Sequence, residues 1–195
     1  MENVLDRNLF FVREHVGMFK AANNFDILDP DTGAEIIHCR EDNLGAFTKL
    51  LRFTDYKRFT PFNIELRTPD GQHLLTVQRG VSIFLSYVKV LDENGEHIGG
   101  FKQKLWSIGG KFNVLDPEDN IVCMLKGKWT GWDFRFLDGD LELAHVTKKW
   151  SGLGKELFTS ADNYILTINE TLPPGGDIRK LILAAVMCID MVLKE

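Results

Sequence analysis

The strongest constraint on the fold is a short unit that recurs five times. In each copy, alternating apolar residues run into a cluster of turn-forming residues. Phe25-Asp26-Ile27-Leu28 leads into Asp29-Pro30-Asp31-Thr32-Gly33, and Phe62-Asn63-Ile64-Glu65-Leu66 leads into Thr68-Pro69-Asp70-Gly71. Val88-Lys89-Val90-Leu91 leads into Asp92-Glu93-Asn94-Gly95, and Phe112-Asn113-Val114-Leu115 leads into Asp116-Pro117-Glu118-Asp119-Asn120. The fifth copy is Phe134-Arg135-Phe136-Leu137 with Asp138-Gly139-Asp140. Period-two apolar spacing predicts a strand. Asp, Pro, Asn and Gly preset or tolerate the dihedrals of the turn that follows. Returning strands such as Glu35–Cys39, His73–Val77 and Leu141–Val146 complete each hairpin. The copies are too unevenly spaced for a solenoid. Five hairpins supply ten strands, and Phe10-Phe11-Val12 and Tyr164–Ile168 raise the count to about twelve. So many antiparallel strands stack as a sandwich or close into a barrel.

The pattern breaks near the end. Leu172-Pro173-Pro174-Gly175-Gly176 reads as a linker, Asp177 as a helix N-cap, and Ile178 to Leu193 as a helix. From Leu181 to Ile189 that helix is apolar on every side, so it lies inside protein or inside lipid. Leu181 to Leu193 spans about 20 Å at helical rise, short of a hydrocarbon core of about 30 Å. Asp190 would also be costly in lipid. The expectation is a mainly β protein, a closed antiparallel barrel threaded by its C-terminal helix, because a barrel can be wide enough to enclose more than side chains.

Chemistry is scarce. There is no GxSxG or HExxH motif, and Ser151-Gly152-Leu153-Gly154-Lys155-Glu156 lacks both the first Gly and the hydroxyl residue of a phosphate loop. Cys39, Cys123 and Cys188 form no CxxC pair, which argues against zinc and disulfides and fits a reducing compartment. The five histidines show no ligand spacing. Asp29-Pro30-Asp31-Thr32-Gly33 fails as a calcium loop, since its twelfth position is Arg40. Asp116, Asp119, Asp138 and Asp140 read as turn residues. The N-terminal residues lack a basic and apolar leader, so secretion is not expected. Glu2 stands where myristoylation requires a glycine, so that modification is not expected either.

A net charge of −5 opposes nucleic-acid binding. The charge is uneven, however. Residues 99–155 hold 9 basic and 7 acidic side chains, whereas the remainder is acidic. Within that middle, Lys102 with Lys104, Lys126 with Lys128, and Lys148 with Lys149 sit close to Trp106, Trp129, Trp132 and Trp150. Period two puts Lys102 and Lys104 on one strand face, and Lys126 and Lys128 on another. Two readings stay open: an anionic headgroup surface, or solvated strand faces with the tryptophans in or beside the core.

The stretch from Ala144 onward carries a resemblance. His145-Val146-Thr147-Lys148-Lys149-Trp150-Ser151-Gly152 is followed by Lys155-Glu156-Leu157-Phe158-Thr159-Ser160-Ala161-Asp162-Asn163-Tyr164 and then by the apolar helix with Asp190. This resembles the phospholipid scramblase family, within the wider tubby C-terminal-like superfamily that includes the LURP-one-related proteins. The resemblance implies one tubby-like domain over 1–195, with hairpins over roughly 8–170 and a central helix over roughly 177–194. It also implies a non-catalytic, cytoplasmic protein, peripheral at the inner membrane face, that meets anionic phospholipid or phosphoinositide headgroups. Lys102, Lys104, Lys126, Lys128, Lys148 and Lys149 are the headgroup candidates. The family's acidic calcium segment is degenerate: Ser160 stands at its first position, and Asp162 and Asn163 remain. No metal or cofactor is therefore expected beyond weak Ca²⁺ binding. Two other functions stay open: a soluble module for a protein partner or small ligand, and true bilayer scrambling by insertion of the last helix.

Overall fold

The computed structural model describes residues 3–15, 22–42, 44–53, 60–81, 87–103, 111–128, 132–148 and 163–193. A 3-10 turn at Val4–Asp6 precedes β1 (Leu9–Glu14), β2 (Phe25–Leu28), β3 (Glu35–Arg40) and a short helix α1 (Ala46–Leu51). Then come β4 (Phe62–Arg67), β5 (His73–Arg79), β6 (Tyr87–Leu91), β7 (His97–Gln103), β8 (Phe112–Leu115) and β9 (Ile121–Lys128). β10 (Asp133–Asp138), β11 (Leu141–Thr147), β12 (Asn163–Ile168) and the helix α2 (Asp177–Leu193) complete the chain. Asp177 is the first helical residue and not the cap, a one-residue difference at a helix end.

Each strand pairs with its sequence neighbours, and β1 closes on β12, so the twelve strands form a closed barrel. Leu9 faces Thr167 and Arg13 faces Asn163 across that closure. The five repeated units are the hairpins β2–β3, β4–β5, β6–β7, β8–β9 and β10–β11. Every one of them shifts register at the end of its first strand, at Ile27/Leu28, Leu66/Arg67, Val90/Leu91, Val114/Leu115 and Phe136/Leu137. A recurring bulge adds the local twist that a barrel needs to close. The turn residues share a device as well. Oδ1 of Asp92 accepts from the N–H groups of Asn94 (2.9 Å) and Glu96 (2.8 Å), and Oδ1 of Asp116 accepts from Glu118 (3.0 Å) and Asn120 (2.8 Å). These aspartates close turns, as their spacing predicts.

The turns crowd one end of the barrel, together with the 3-10 turn and the segment that leads into α2. The connections between successive hairpins leave from the other end. α2 enters at the turn end and fills the interior, where Leu181 to Ile189 are at most 5% exposed. Phe10, Val12, Ile27, Ile64, Val77, Val90, Phe134 and Val146 pack around it from the strands. Gly99 permits the close approach of β7: with φ at +136°, a Cβ there would lie 2.2 Å from the Leu115 carbonyl oxygen and 3.1 Å from Leu181 Cδ1. The helix is anchored by Arg179, which is 2% exposed. Its guanidinium donates to the carbonyls of Leu172 (3.1 Å), Asp6 (2.9 Å) and Arg7 (2.6 Å), and to Asn8 Oδ1 (2.8 Å).

Two buried carboxylates make this fold acid-sensitive. Asp29 accepts hydrogen bonds from the N–H groups of Thr32 and Asp31 and is bound by the Arg7 guanidinium, which holds its carboxyl down to about 2 from 3.8. Burial alone would raise Asp26, but Arg13, His15 and Arg40 outweigh it and hold it well below the usual range. A carboxyl with a depressed folded-state pKa adds stability that is complete above its unfolded value and disappears as pH falls through the folded value. Urea midpoints are expected to hold steady down to about pH 4 and to fall between about pH 4 and 2. Asp29→Asn should lower the midpoint at neutral pH and flatten that fall. An unchanged acid slope in the variant would contradict the assignment.

Candidate functional site

Alternation decides which lysines face outward. On β7 Phe101 points into the core and Lys102 outward, and on β9 Cys123 and Leu125 point inward and Lys126 outward; both lysines are exposed. Lys102 pairs with Asn113 on β8, and Asn113 pairs with Met124 on β9. Lys126 thus stands two strands and one outward position away from Lys102, roughly 12 Å off by strand spacing and rise. Beside Lys126 in register is Arg135, whose charge is engaged by Glu142 at 2.7 Å and Asp133 at 3.3 Å. Lys148 behaves differently. Its ammonium sits over the Trp132 ring at 3.9 Å, and Trp132 stacks on Tyr164 at 5.7 Å. Trp132 packs against the core, so Lys148 is tied to the barrel wall. Lys104 and Lys149 lie outside the described residues, as do Trp106, Trp129 and Trp150. Lys128 is placed by its backbone opposite Asp133, and its side chain also lies outside them.

A cleft opens on the outer wall of β4, β5 and β6, with a volume of about 560 Å³. Its floor is a polar row across three strands, because Asn63 pairs with Gln78 and Gln78 with Lys89. Leu44, Gly45 and Thr48 at the start of α1 form one wall, and Tyr87 stands at the other. The buried Arg52–Glu41 pair holds that first wall in place, with contacts of 2.5 and 2.7 Å. These two charges offset each other. Arg79 lies over Phe62 at 4.8 Å and donates to the Thr60 carbonyl at 2.8 Å, and exposed Lys89 puts a positive charge on the floor. Asn63, Gln78 and Lys89 are visible in the sequence as outward positions of strands, whereas Arg79 takes an inward position in register with the core residues Phe62 and Val88. The wall supplied by α1 is not, since nothing local says that this segment folds back across β4.

Asp26, Glu35 and His38 come within 4.8 Å of one another and could in principle hold a metal ion. Asp26 is already occupied by Arg13 at 2.8 Å, Arg40 at 2.6 Å and His15 at 2.5 Å. Two guanidiniums on the buried carboxylate make this an ion-pair network and a poor cation site. Of the degenerate calcium segment, Asp162 lies outside the described residues, and Asn163 is a buried β12 residue paired with Arg13. The cysteines face the core. Burial raises the thiols of Cys39, Cys123 and Cys188, the last two to about 12, so they are poor nucleophiles.

A comparison with known families decides what kind of barrel this is. The scramblase family model matches residues 8–195, which takes in all twelve strands and the helix. The chain belongs to the scramblase family. Among curated relatives of this scramblase-family chain is altered inheritance rate of mitochondria protein 25 from Saccharomyces cerevisiae (strain ATCC 204508 / S288c), 23% identical over 188 residues. The match covers 84% of this chain and 57% of the yeast protein, so the chain spans little more than half of that relative's length. The fold is also that of the X-ray structure of the Arabidopsis thaliana protein AT5G01750. That similarity has a TM-score of 0.51 at 12% identity, over 95% of this chain and 90% of the plant protein. Family and architecture therefore agree with the resemblance read from Ala144 onward. Among the described residues, no helix of this scramblase-family chain is long and apolar enough to cross a membrane.

Proposed function

We propose that this chain is a scramblase-related protein that binds anionic phospholipid headgroups from the cytoplasmic side, without catalytic chemistry of its own. The observation that carries the proposal is the pair of exposed lysines, Lys102 and Lys126, on the outer faces of β7 and β9 in a barrel of this family. An outward row of Lys89, Lys102, Lys126 and Arg135 is the reverse of a lipid-spanning barrel, whose outer band is apolar. The interior is filled by α2, which leaves the outer surface of the barrel, wall and ends, available to headgroups. Lys104, Lys128 and Lys149 extend the proposed surface by their place in the sequence. Lys148 contributes through the charge it holds against Trp132. Full-length protein is expected to sediment with phosphatidylserine-containing vesicles and to release as salt rises. Near an anionic surface each lysine is worth about 1 kcal/mol. Lys102→Ala and Lys126→Ala should each weaken binding about fivefold. Absence of sedimentation at low salt would remove the proposal.

The cleft supports a second reading, a module for a small anionic ligand with no membrane role. Its positive, hydrogen-bonding floor and its volume of about 560 Å³ suit a polar molecule. In that case Lys89→Ala would abolish ligand binding, whereas Lys102→Ala and Lys126→Ala would leave it intact.

A further inference from the structure

We propose that the barrel docks on anionic membranes end-on, with the hairpin-connecting end toward the lipid and the turn end pointing away. The proposal deepens the headgroup reading and rests on it. Its first ground is the axial distribution of charge. The turn-end segments, 3–8, 29–34, 68–72, 92–96, 116–120, 139–140 and 169–176, contain twelve acidic residues and one basic residue, Arg7. At the opposite end the described residues 13–15, 22–26, 40–42, 44–53, 60–63, 78–81, 87–88, 101–103, 111–113, 126–128, 132–134, 146–148 and 163–165 hold ten basic residues against five acidic ones. Among the described residues the two ends are thus of opposite charge, an electrical dipole along the barrel axis.

Screening makes that dipole decide orientation. A strand of six or seven residues runs about 20 Å, or nearly 15 Å along the axis when tilted. The Debye length at physiological ionic strength is about 8 Å. With the turn end away from the membrane, most of its carboxylates lie beyond the range of the surface potential; Asp119, which accepts from the Tyr87 hydroxyl at 3.3 Å, lies nearer. With the turn end inward, they meet it directly. At the connecting end the described lysines are Lys49 on α1, Lys102 near the end of β7, Lys111 just before β8, Lys126 near the end of β9 and Lys148 just after β11.

The second ground is apolar exposure at the same end. Leu50 (64% exposed) and Phe53 (59%) belong to the α1 segment, and Val81 (72%) follows β5. Large apolar side chains beside lysines suit the boundary between headgroups and acyl chains. Ile121 and Leu141 are exposed too, at the turn end. They flank the acidic turns 116–120 and 138–140, so apolar exposure alone does not select an end, and the charge does.

The test uses the full chain with one added surface cysteine, because the native three are buried. Leu50→Cys, Thr76→Cys and Asp70→Cys place a fluorophore at the connecting end, on the wall in the middle of β5 and at the turn end. Vesicles of phosphatidylserine and phosphatidylcholine carry a nitroxide lipid as quencher. Quenching at position 50 is expected to exceed that at 76 and 70 by about threefold or more. Lys49→Glu should cut sedimentation severalfold, and Asp140→Lys should leave it unchanged. Sedimentation with equal quenching at all three positions, or with the strongest quenching at 76 or 70, overturns end-on docking and leaves headgroup binding intact. Binding to heparin with no quenching at any position overturns it in favour of a soluble polyanionic partner. No sedimentation at all removes both readings.

Discussion

A chain ended at Gly176 is expected to be insoluble. α2 contributes Leu181, Ile182, Leu183, Val186, Met187 and Ile189 to the core, each at most 2% exposed. Burying a side chain of that size stabilises by about 1.5–3 kcal/mol, so six of them amount to roughly 9–18 kcal/mol. A typical folded protein has about 5–15 kcal/mol of total stability. The loss reaches the strands too, because their inward faces lose the surface they pack on. Phe10, Phe134 and Phe136 would line an empty bore. No rearrangement of twelve paired strands can collapse such a space without breaking their registers. Expression of residues 1–176 should yield aggregate, and refolding should yield no cooperative transition by calorimetry. A soluble truncation with a sharp melting transition would falsify the core-plug reading of α2.

Replacing Arg179 is expected to be the most costly single substitution at the start of α2. The guanidinium bridges the start of α2 to the carbonyls of Asp6, Arg7 and Leu172 and to Asn8 Oδ1. Burial lowers its pKa below the ordinary guanidinium range. Arg179→Met keeps much of the volume and removes every donor, leaving several carbonyls buried without partners at about 1–3 kcal/mol each. A loss of about 3–5 kcal/mol is the order expected for breaking a buried charged network. For a chain of this size that is a fall in Tm of about 10 °C. Arg179→Lys should recover little, since a single ammonium cannot span the same set of acceptors. A Tm within about 2 °C of the parent protein would show that the clamp is not what holds the helix start.

The barrel was legible in the sequence because its rules are local. Each hairpin is specified by a few adjacent residues: the alternation of Phe112-Asn113-Val114 and the carboxylate of Asp116 that folds the turn onto itself. The helix was legible because nine successive apolar residues leave no solvent face. What stayed hidden depends on distance in the chain. Three of the four acceptors of Arg179 named above come from residues about 170 positions earlier, and the Asp26 network joins three strands. The cleft needs α1 to lie over β4 and β5. The lysines illustrate both cases. Alternation correctly turns Lys102 and Lys126 outward, but nothing in the spacing of Lys148 announces that its charge rests on Trp132.

The seam between β1 and β12 also sets a timetable. Leu9 can meet Thr167 only after almost all of the strands have been synthesised, and α2 emerges later still. Until then the growing sheet has two raw edges and an unfilled apolar face, a state in which edge pairing between chains competes with closure. Distant pairing of this kind is slow to form, because the entropy of bringing the ends together must be met before the contacts form. The barrel is therefore a protein whose first strand waits for its last. Its period of greatest vulnerability falls before β12 and α2 have joined it, when every hairpin exists and the molecule that they make does not yet exist.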